Sequence, residues 1–315
     1  MNAVLVIGGF LIIAVMRVIQ KICGKTSSRL ISDDCTFFKY GAVYQFFAAA
    51  FAVITLFIVG FYGFNLKTFI CAIISAILFG IDLYTSIESI KGCSLVVANI
   101  FSNGGLVISV IVSFFWFGEG VSAFQIAGLL LFFVAVYLLS VTKKEETEKK
   151  ISLKTFILLI INFVCNGAVM VTQKYFSKMV ENGNTAVFSF LTFALCSIIM
   201  IVFYAVARSK QKPVTMSYDS VKKPFLDKRL WICAALLALG IFAINYLITE
   251  MGKIVDSVIL FPVSSALSII ITIIVGRVVY KEKLNAFGVI GVIAGIISII
   301  TLSVFTPETV SRLFG

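Results

Sequence analysis

Ten stretches of roughly 20 residues, each nearly free of charge, follow one another along this chain and constrain its fold more tightly than anything else in it. They fall near residues 3–22, 39–60, 68–87, 94–117, 123–141, 153–173, 185–207, 230–250, 257–279 and 285–305. A helix rising about 1.5 Å per residue needs about 20 apolar residues to cross the ~30 Å hydrocarbon core of a bilayer. Backbone amides find no water there, so only helices and closed barrels can span it. A barrel would show segments of about ten residues with alternating hydrophobicity; these runs are continuously apolar. Only 13% of residues are charged and 60% are hydrophobic, so the surplus apolar surface must meet lipid. The expected fold is an all-α integral membrane protein with ten transmembrane helices. The N-terminus has no basic region and no small-residue cleavage site, so it reads as the first membrane helix and not as a removed signal.

Two polar segments, KKEETEKK at 143–150 and residues 208–229, interrupt the series. The first separates helices five and six. The expected organisation is therefore a five-helix repeat over 1–142, a charged linker over 143–152, a second five-helix repeat over 153–305, and a tail over 306–315. The halves share a polar series. VIQK at Val18–Lys21 matches VTQK at Val171–Lys174 with an offset of 153, and Lys25 meets Lys178. An offset of 163 then pairs Asp82 with Asn245, Ser94 with Ser257, Glu119 with Glu282, Ala123–Phe124 with Ala286–Phe287, and Gly128 with Gly291. An odd number of crossings per half places the second half upside down relative to the first. Inverted repeats of this kind recur in transporters, with the substrate site near the midplane between the halves.

The segments GEGVSAFQIAGLLLFFVAVYLL (118–139) and YKEKLNAFGVIGVIAGIISIITL (280–302) each place a glutamate after the fourth helix of a repeat and a glycine in the fifth. In this the chain resembles the ten-helix, EamA-type branch of the drug/metabolite transporter superfamily, over nearly its whole length. Pro262 in the second repeat suits that family; Asn99 stands at the matching position of the first. The resemblance implies a carrier of small metabolites, often an exporter, with a central cavity. It also implies cytoplasmic termini.

The charge distribution points the other way. Twenty basic residues gather on one side: Lys21, Lys25, Arg29, Lys39, Lys91, five within 143–154, seven within 208–229, and Arg277, Lys281 and Lys283. The opposite side has five: Lys67, Lys174, Lys178, Lys253 and Arg312. The positive-inside rule puts the first side in the cytoplasm and both termini outside. The net charge of +11 is thus a topology signal, and nucleic acid is not an expected partner.

Charge within a membrane helix costs roughly 2.5–3.5 kcal/mol on insertion scales and usually marks a pathway. Asp82 lies well inside helix three, with Thr85, Ser86 and Ser89 on the same face. Arg17 lies in helix one, with Gln20 and Lys21 following at +3 and +4. Further polar stripes comprise Asn99, Ser102 and Asn103 in helix four, and Asn162, Asn166 and Gln173 in helix six. Asn245 and Thr249 follow in helix eight, and Ser265, Ser268 and Thr272 in helix nine. The expected cavity is lined by helices one, three, four, six, eight and nine, with five and ten at the periphery. The competing role for these hydroxyls and amides is bonding between helices, and for Asp82 a structural pair with Arg17. An unpaired Asp82 would exchange a proton and couple transport to a proton gradient. Glu88, Glu119, Glu250 and Glu282, near helix ends, are candidates for structural or gating ion pairs. Gly128 and Gly291 are structural candidates, and Gly291 with Gly295 forms a GxxxG packing face.

Several chemistries are excluded or unsupported. The chain has no histidine, which removes imidazole metal sites, His-dependent triads and His proton relays. No metal site and no cofactor is expected. ICGKTS at 22–27 lacks the first glycine of a phosphate loop, and it follows a membrane helix where that motif needs a strand. Asp33–Asp34 has no second acidic cluster to join it in phosphate chemistry. The seven cysteines form no CxxC pair; five lie in or beside apolar stretches, and a Cys23–Cys35 disulfide is the pairing open in principle.

The expectation is a secondary transporter, not an enzyme, that moves a small metabolite across a prokaryotic plasma membrane. Amino acids and related compounds lead, because Arg17 and Asp82 offer one charge of each sign. Export of hydrophobic cations is the alternative suggested by an aromatic content of 14%. A membrane enzyme acting on lipid-linked substrates would need interfacial acids or histidines in clusters, and the inverted repeat argues against a channel or receptor.

Overall fold

The computed structural model describes residues 2–31, 33–118, 120, 122–141, 151–210, 228–255, 257–281, 286–305 and 310–311. Among these the chain is all helical: α1 (Asn2–Leu30), α2 (Asp34–Val59), α3 (Leu66–Gly92), α4 (Leu95–Gly104), α5 (Leu106–Phe117), α6 (Ala123–Val141), α7 (Leu153–Met179), α8 (Thr185–Lys210), α9 (Lys228–Met251), α10 (Ser257–Val278) and α11 (Ala286–Val304). Each of the ten apolar stretches is helical. Seven are long and apolar enough to cross a membrane by the described residues: those in α1, α2, α3, α7, α8 and α9, and Val97–Phe117, which α4 and α5 share. The described apolar parts of α6, α10 and α11 are shorter. The chain is a multi-pass membrane protein.

Short polar side chains start these helices. Asp33, Asn65, Ser94 and Ser152 accept from the backbone N–H of Thr36, Thr68, Val97 and Thr155 at 3.0, 2.7, 3.3 and 3.1 Å, each cap worth about 1 kcal/mol. Asp33 thereby has a structural task. Gly118, with φ of 65°, closes α5 in a left-handed turn that a side chain would strain.

Three helices outrun their expected ends: α1 passes residue 22, α3 passes 87 and α7 passes 173. The extra turns hold no proline, and their hydroxyls fold back on the helix. Thr26 bonds Ile22 O at 2.9 Å, Ser28 bonds Lys25 O at 2.9 Å and Ser177 bonds Lys174 O at 2.9 Å. Lys21 and Lys174 therefore lie within helices and not in loops, which corrects their place in the charge count. Lys25, Arg29 and Lys91 on the one side and Lys178 on the other also fall in the added turns, and the asymmetry stands without all six.

The fourth stretch is broken where one helix was expected. At Gly105 the backbone N–H reaches Ser102 O at 3.3 Å and a new helix starts. Here the chain presses on α7: a Cβ on Gly105 would lie 2.4 Å from the Gly167 nitrogen and 2.7 Å from Phe163 O.

Packing runs mainly between the halves. α2 packs on α8, and α6 on α11. α1 packs on α9 as α7 packs on α3, and α2 packs on α9 as α8 packs on α3. Exchanging the halves leaves this set of neighbours unchanged. α6 and α11 meet through Ser298, whose hydroxyl donates to Gly128 O at 2.6 Å, and through Gly295 facing Ala135. The GxxxG face is thus turned inward. Large apolar side chains point outward, with Ile58 and Phe115 each 80% exposed, as lipid contact requires. Cys23 and Cys35 are free thiols; the neighbour of Cys23 is Cys233.

Glu119, Glu282, the linker at 143–150, and 306–309 and 312–315 of the tail lie outside the described residues.

Candidate functional site

A cavity of about 140 Å³ lies between the halves, walled by α1, α2, α3 and α4 from the first and α7 and α9 from the second. Ten of the expected residues line it: Arg17, Gln20, Asp82, Ser86, Asn99, Ser102, Asn103, Asn166, Gln173 and Asn245. It extends to the end where α1 and α3 finish and α4 begins, along Lys25, Ile90 and Leu95.

The Asp82 carboxylate sits against α7. Asn162 Nδ2 donates to Asp82 Oδ1 at 2.8 Å and to its carbonyl at 3.2 Å, and Asn166 lies near the carboxylate. Asn162 therefore supports the site from behind the wall and does not line it. Asn166 reaches Ser102 Oγ at 3.3 Å, tying α7 to α4. Arg17 Nη1 donates to Gln20 Oε1 at 3.0 Å, while its Nε is buried without a partner. Arg17, Lys21 and Asp82 interact electrostatically across the cavity. Among the described residues Asp82 makes no ion pair, so the competing structural pair with Arg17 is not formed.

Asn99 joins three helices. It accepts from Lys21 Nζ of α1, donates to Ser268 O of α10 at 3.3 Å, and its Oδ1 accepts from Asn103 at 2.9 Å and from Ser268 Oγ at 3.1 Å. On the opposite wall Gln173 Nε2 donates to Asn245 Oδ1 at 2.6 Å, and Asn245 Nδ2 donates to Ile241 O at 2.7 Å.

Among the described side chains, none of α10, the ninth helix of the expected lining, lines the cavity. Ser268 stands one layer back, holding Asn99 and Asn103. Ser265 is buried with an unpartnered hydroxyl, and Thr249 bonds its own helix at Asn245 O, 2.8 Å away. Helix two takes the place instead, through Tyr44 and Gln45. Gln45 is 1% exposed with Oε1 unpartnered, and a single amide in the apolar α2 was the signal for it. Lys21 was missed as a site residue because it was counted as a loop charge, although it shares a face with Arg17.

Glu88 pairs with Lys91 inside α3, and Glu250 near the end of α9 pairs with Lys253 of the following turn at 2.6 Å. Such exposed i,i+3 pairs are worth about 0.3–0.5 kcal/mol and bridge no gap between helices. Beyond the cavity, the Tyr280 ring lies between Lys25 Nζ at 4.7 Å and Arg29 at 5.1 Å, and its hydroxyl donates to Ile22 O at 3.0 Å. This clasp ties the end of α1 to the end of α10. Of the aromatic residues only Tyr44 and Phe79 line the cavity among the described residues; Phe57, Phe115, Phe124 and Phe133 face outward.

Comparison with known proteins adds three findings. Residues 153–304 match the EamA-like transporter family. No curated protein matches the chain in sequence. A solved structure described only as "Crystal structure of protein" superposes with a TM-score of 0.66 at 12% identity, over 98% of this chain and 99% of its own. At that identity it speaks for the fold alone, and it does so across both halves.

Proposed function

Because residues 153–304 match the EamA-like transporter family, of the drug/metabolite transporter superfamily, we propose that the whole chain is a secondary active transporter working by alternating access. One observation carries this: a polar cavity lies between two halves whose helices pack in exchangeable pairs. Two similar, oppositely inserted units can trade conformations and so open one site to either face in turn. The same pairing supports ten crossings arranged as inverted five-helix repeats, with α4 and α5 forming one broken crossing.

The substrate is a small polar metabolite of the amino-acid kind. At about 10–15 Å³ for each water position, 140 Å³ holds a small solute and falls below the ~300 Å³ at which drug-sized pockets begin. Export of drug-like cations fits less well, since Tyr44 and Phe79 are the only aromatic side chains lining the cavity among the described residues. The basic side of the chain faces the cytoplasm of a prokaryotic cell, the cavity extends to that side, and transport runs outward. Asp82, Arg17 and the amides of α4, α7 and α9 contact substrate; Asp82 is the candidate for proton coupling.

The test is counterflow in proteoliposomes. Labelled amino acids, sugars, nucleobases and amines are offered to vesicles preloaded with the same unlabelled compounds. Counterflow above protein-free vesicles supports a carrier, and its absence across the panel rejects one.

A further inference from the structure

We propose that the substrate carries net negative charge, with a carboxylate seated against Arg17 and Lys21; this rests on the transport function proposed above. Deep in the cavity two cations, Arg17 and Lys21, face one carboxylate, Asp82. That carboxylate does not quench them at contact. It is turned to Asn162 and Asn166 of α7, and neither Arg17 nor Lys21 lies within ion-pair distance of it.

The donors are also underused. A guanidinium offers five N–H groups in a planar fork, and an ammonium offers three. Arg17 spends one on Gln20 and keeps a buried Nε without a partner, while Lys21 reaches a neutral amide oxygen, that of Asn99. Leaving such cations among low-dielectric walls without an anion is expensive, and a carboxylate matches the guanidinium fork with two parallel bonds. Arg17 and Lys21 lie one helical turn apart on α1, so one anionic group can meet both. The rest of the molecule then faces the amides of Gln45, Asn166 and Gln173, which offer donors and acceptors to a polar chain.

Binding has a structural consequence. An anion that draws Lys21 from Asn99 removes one bond of the junction between α1, α4 and α10, the helices that must shift if the halves are to rock.

A size-matched five-carbon series decides the matter: glutarate, glutamate, glutamine and cadaverine, each as competitor in counterflow and as ligand in thermal shift of the detergent-purified protein. Glutarate and glutamate are expected to bind at least about tenfold more tightly than glutamine or cadaverine. Arg17→Gln should weaken the anions by about 10- to 100-fold, the scale of a charge-assisted bond, with partial recovery in Arg17→Lys. Lys21→Gln should act in the same direction. Ligand-free melting of each variant, unchanged from the parent, assigns the loss to binding and not to misfolding. Preference for glutamine or cadaverine overturns the anionic class and leaves the carrier standing. So does counterflow of other neutral or cationic compounds alone. No counterflow of any compound defeats the transport function and this proposal together.

Discussion

The two halves share a polar framework and divide the chemistry unequally. At the offset of 153, Gln20 and Lys21 match Gln173 and Lys174, but Arg17 faces Met170. At the offset of 163, Asp82 is answered by Asn245, Asn99 by Pro262 and Gly105 by Ser268. In the second half the amides close on themselves: Gln173 bonds Asn245, and Lys174, 1% exposed, donates to Val255 O at 3.2 Å away from the cavity. In the first half the matching groups stay in the cavity as Arg17, Lys21 and Asp82, and the crossing that bears Asn99 is broken. Of the matched positions, the first half keeps charges in the cavity and the second places amides there, and a symmetric pair of carboxylates or of arginines would double the desolvation cost.

The largest expected effect breaks the comparison at its tightest contact. Gly105→Ala sets a Cβ against backbone of α7 that cannot yield, at 2.4 and 2.7 Å. We expect a loss of about 3 kcal/mol, the upper range for overpacking. At the matching position Ser268→Ala removes hydroxyl bonds to Asn99 and Asn103 and should cost about 1 kcal/mol. Unfolding in a denaturing detergent series measures both. Equal costs would mean that the break in the fourth crossing is incidental.

Next comes an exchange of the matched acid and amide. Asn245→Asp puts a second charge where Gln173 donates and Asn245 now bonds Ile241 O, and should destabilise by about 2.5 kcal/mol. Asp82→Asn should change stability by less than about 1 kcal/mol, because its partner Asn162 can bond an amide. It should instead abolish gradient-driven transport while leaving counterflow, which needs no proton. Gradient-driven uptake surviving in Asp82→Asn would remove Asp82 from the coupling role.

Much of this was legible in sequence, for a physical reason. Lipid forces apolar runs of fixed length, so the helices declare themselves, and charge is so costly within them that Arg17 and Asp82 stand out. Ten of the fourteen cavity candidates line the cavity because an amide or charge in such a helix must turn inward. Depth was harder to read. Asn162, Thr249, Ser265 and Ser268 carry the same side chains as the lining yet stand behind it, and periodicity alone does not separate two layers of one face. Gln45 was passed over as a single residue, and Lys21 because a lysine near a helix end reads as solvated. The break at Gly105 depends on how closely α7 approaches, which no local signal encodes.

A third test separates the matched lysines. Lys174→Met should lower stability by about 1.5 kcal/mol, since a buried charged donor to Val255 O is lost. It should leave anion binding unchanged. Lys21→Met should do the reverse, weakening anion binding about tenfold at nearly constant stability. Thermal unfolding and ligand-induced shift on the same samples give both numbers. Loss of anion binding in Lys174→Met would show that the second half shares in recognition.

The smallest effect sharpens the comparison at the periphery, where α6 and α11 meet. Position 295 is glycine in the second half, while its first-half match is Phe132, 1% exposed. A Cβ on Gly295 would sit 3.7 Å from the Ala135 Cβ, an ordinary contact that displaces nothing. Alanine also forms helix better than glycine, by about 0.8–1 kcal/mol in a helix interior. Part of that gain is offset by fitting the methyl against α6, so Gly295→Ala should stabilise by about 0.5 kcal/mol with transport unchanged. The same substitution tests which way the GxxxG face points. If it packs on α6, as Gly295 against Ala135 and Ser298 on Gly128 O place it, the oligomeric state measured by size-exclusion with light scattering stays the same. A face used between protomers would need the close backbone approach that only glycine permits, and alanine would then shift the protein toward smaller assemblies.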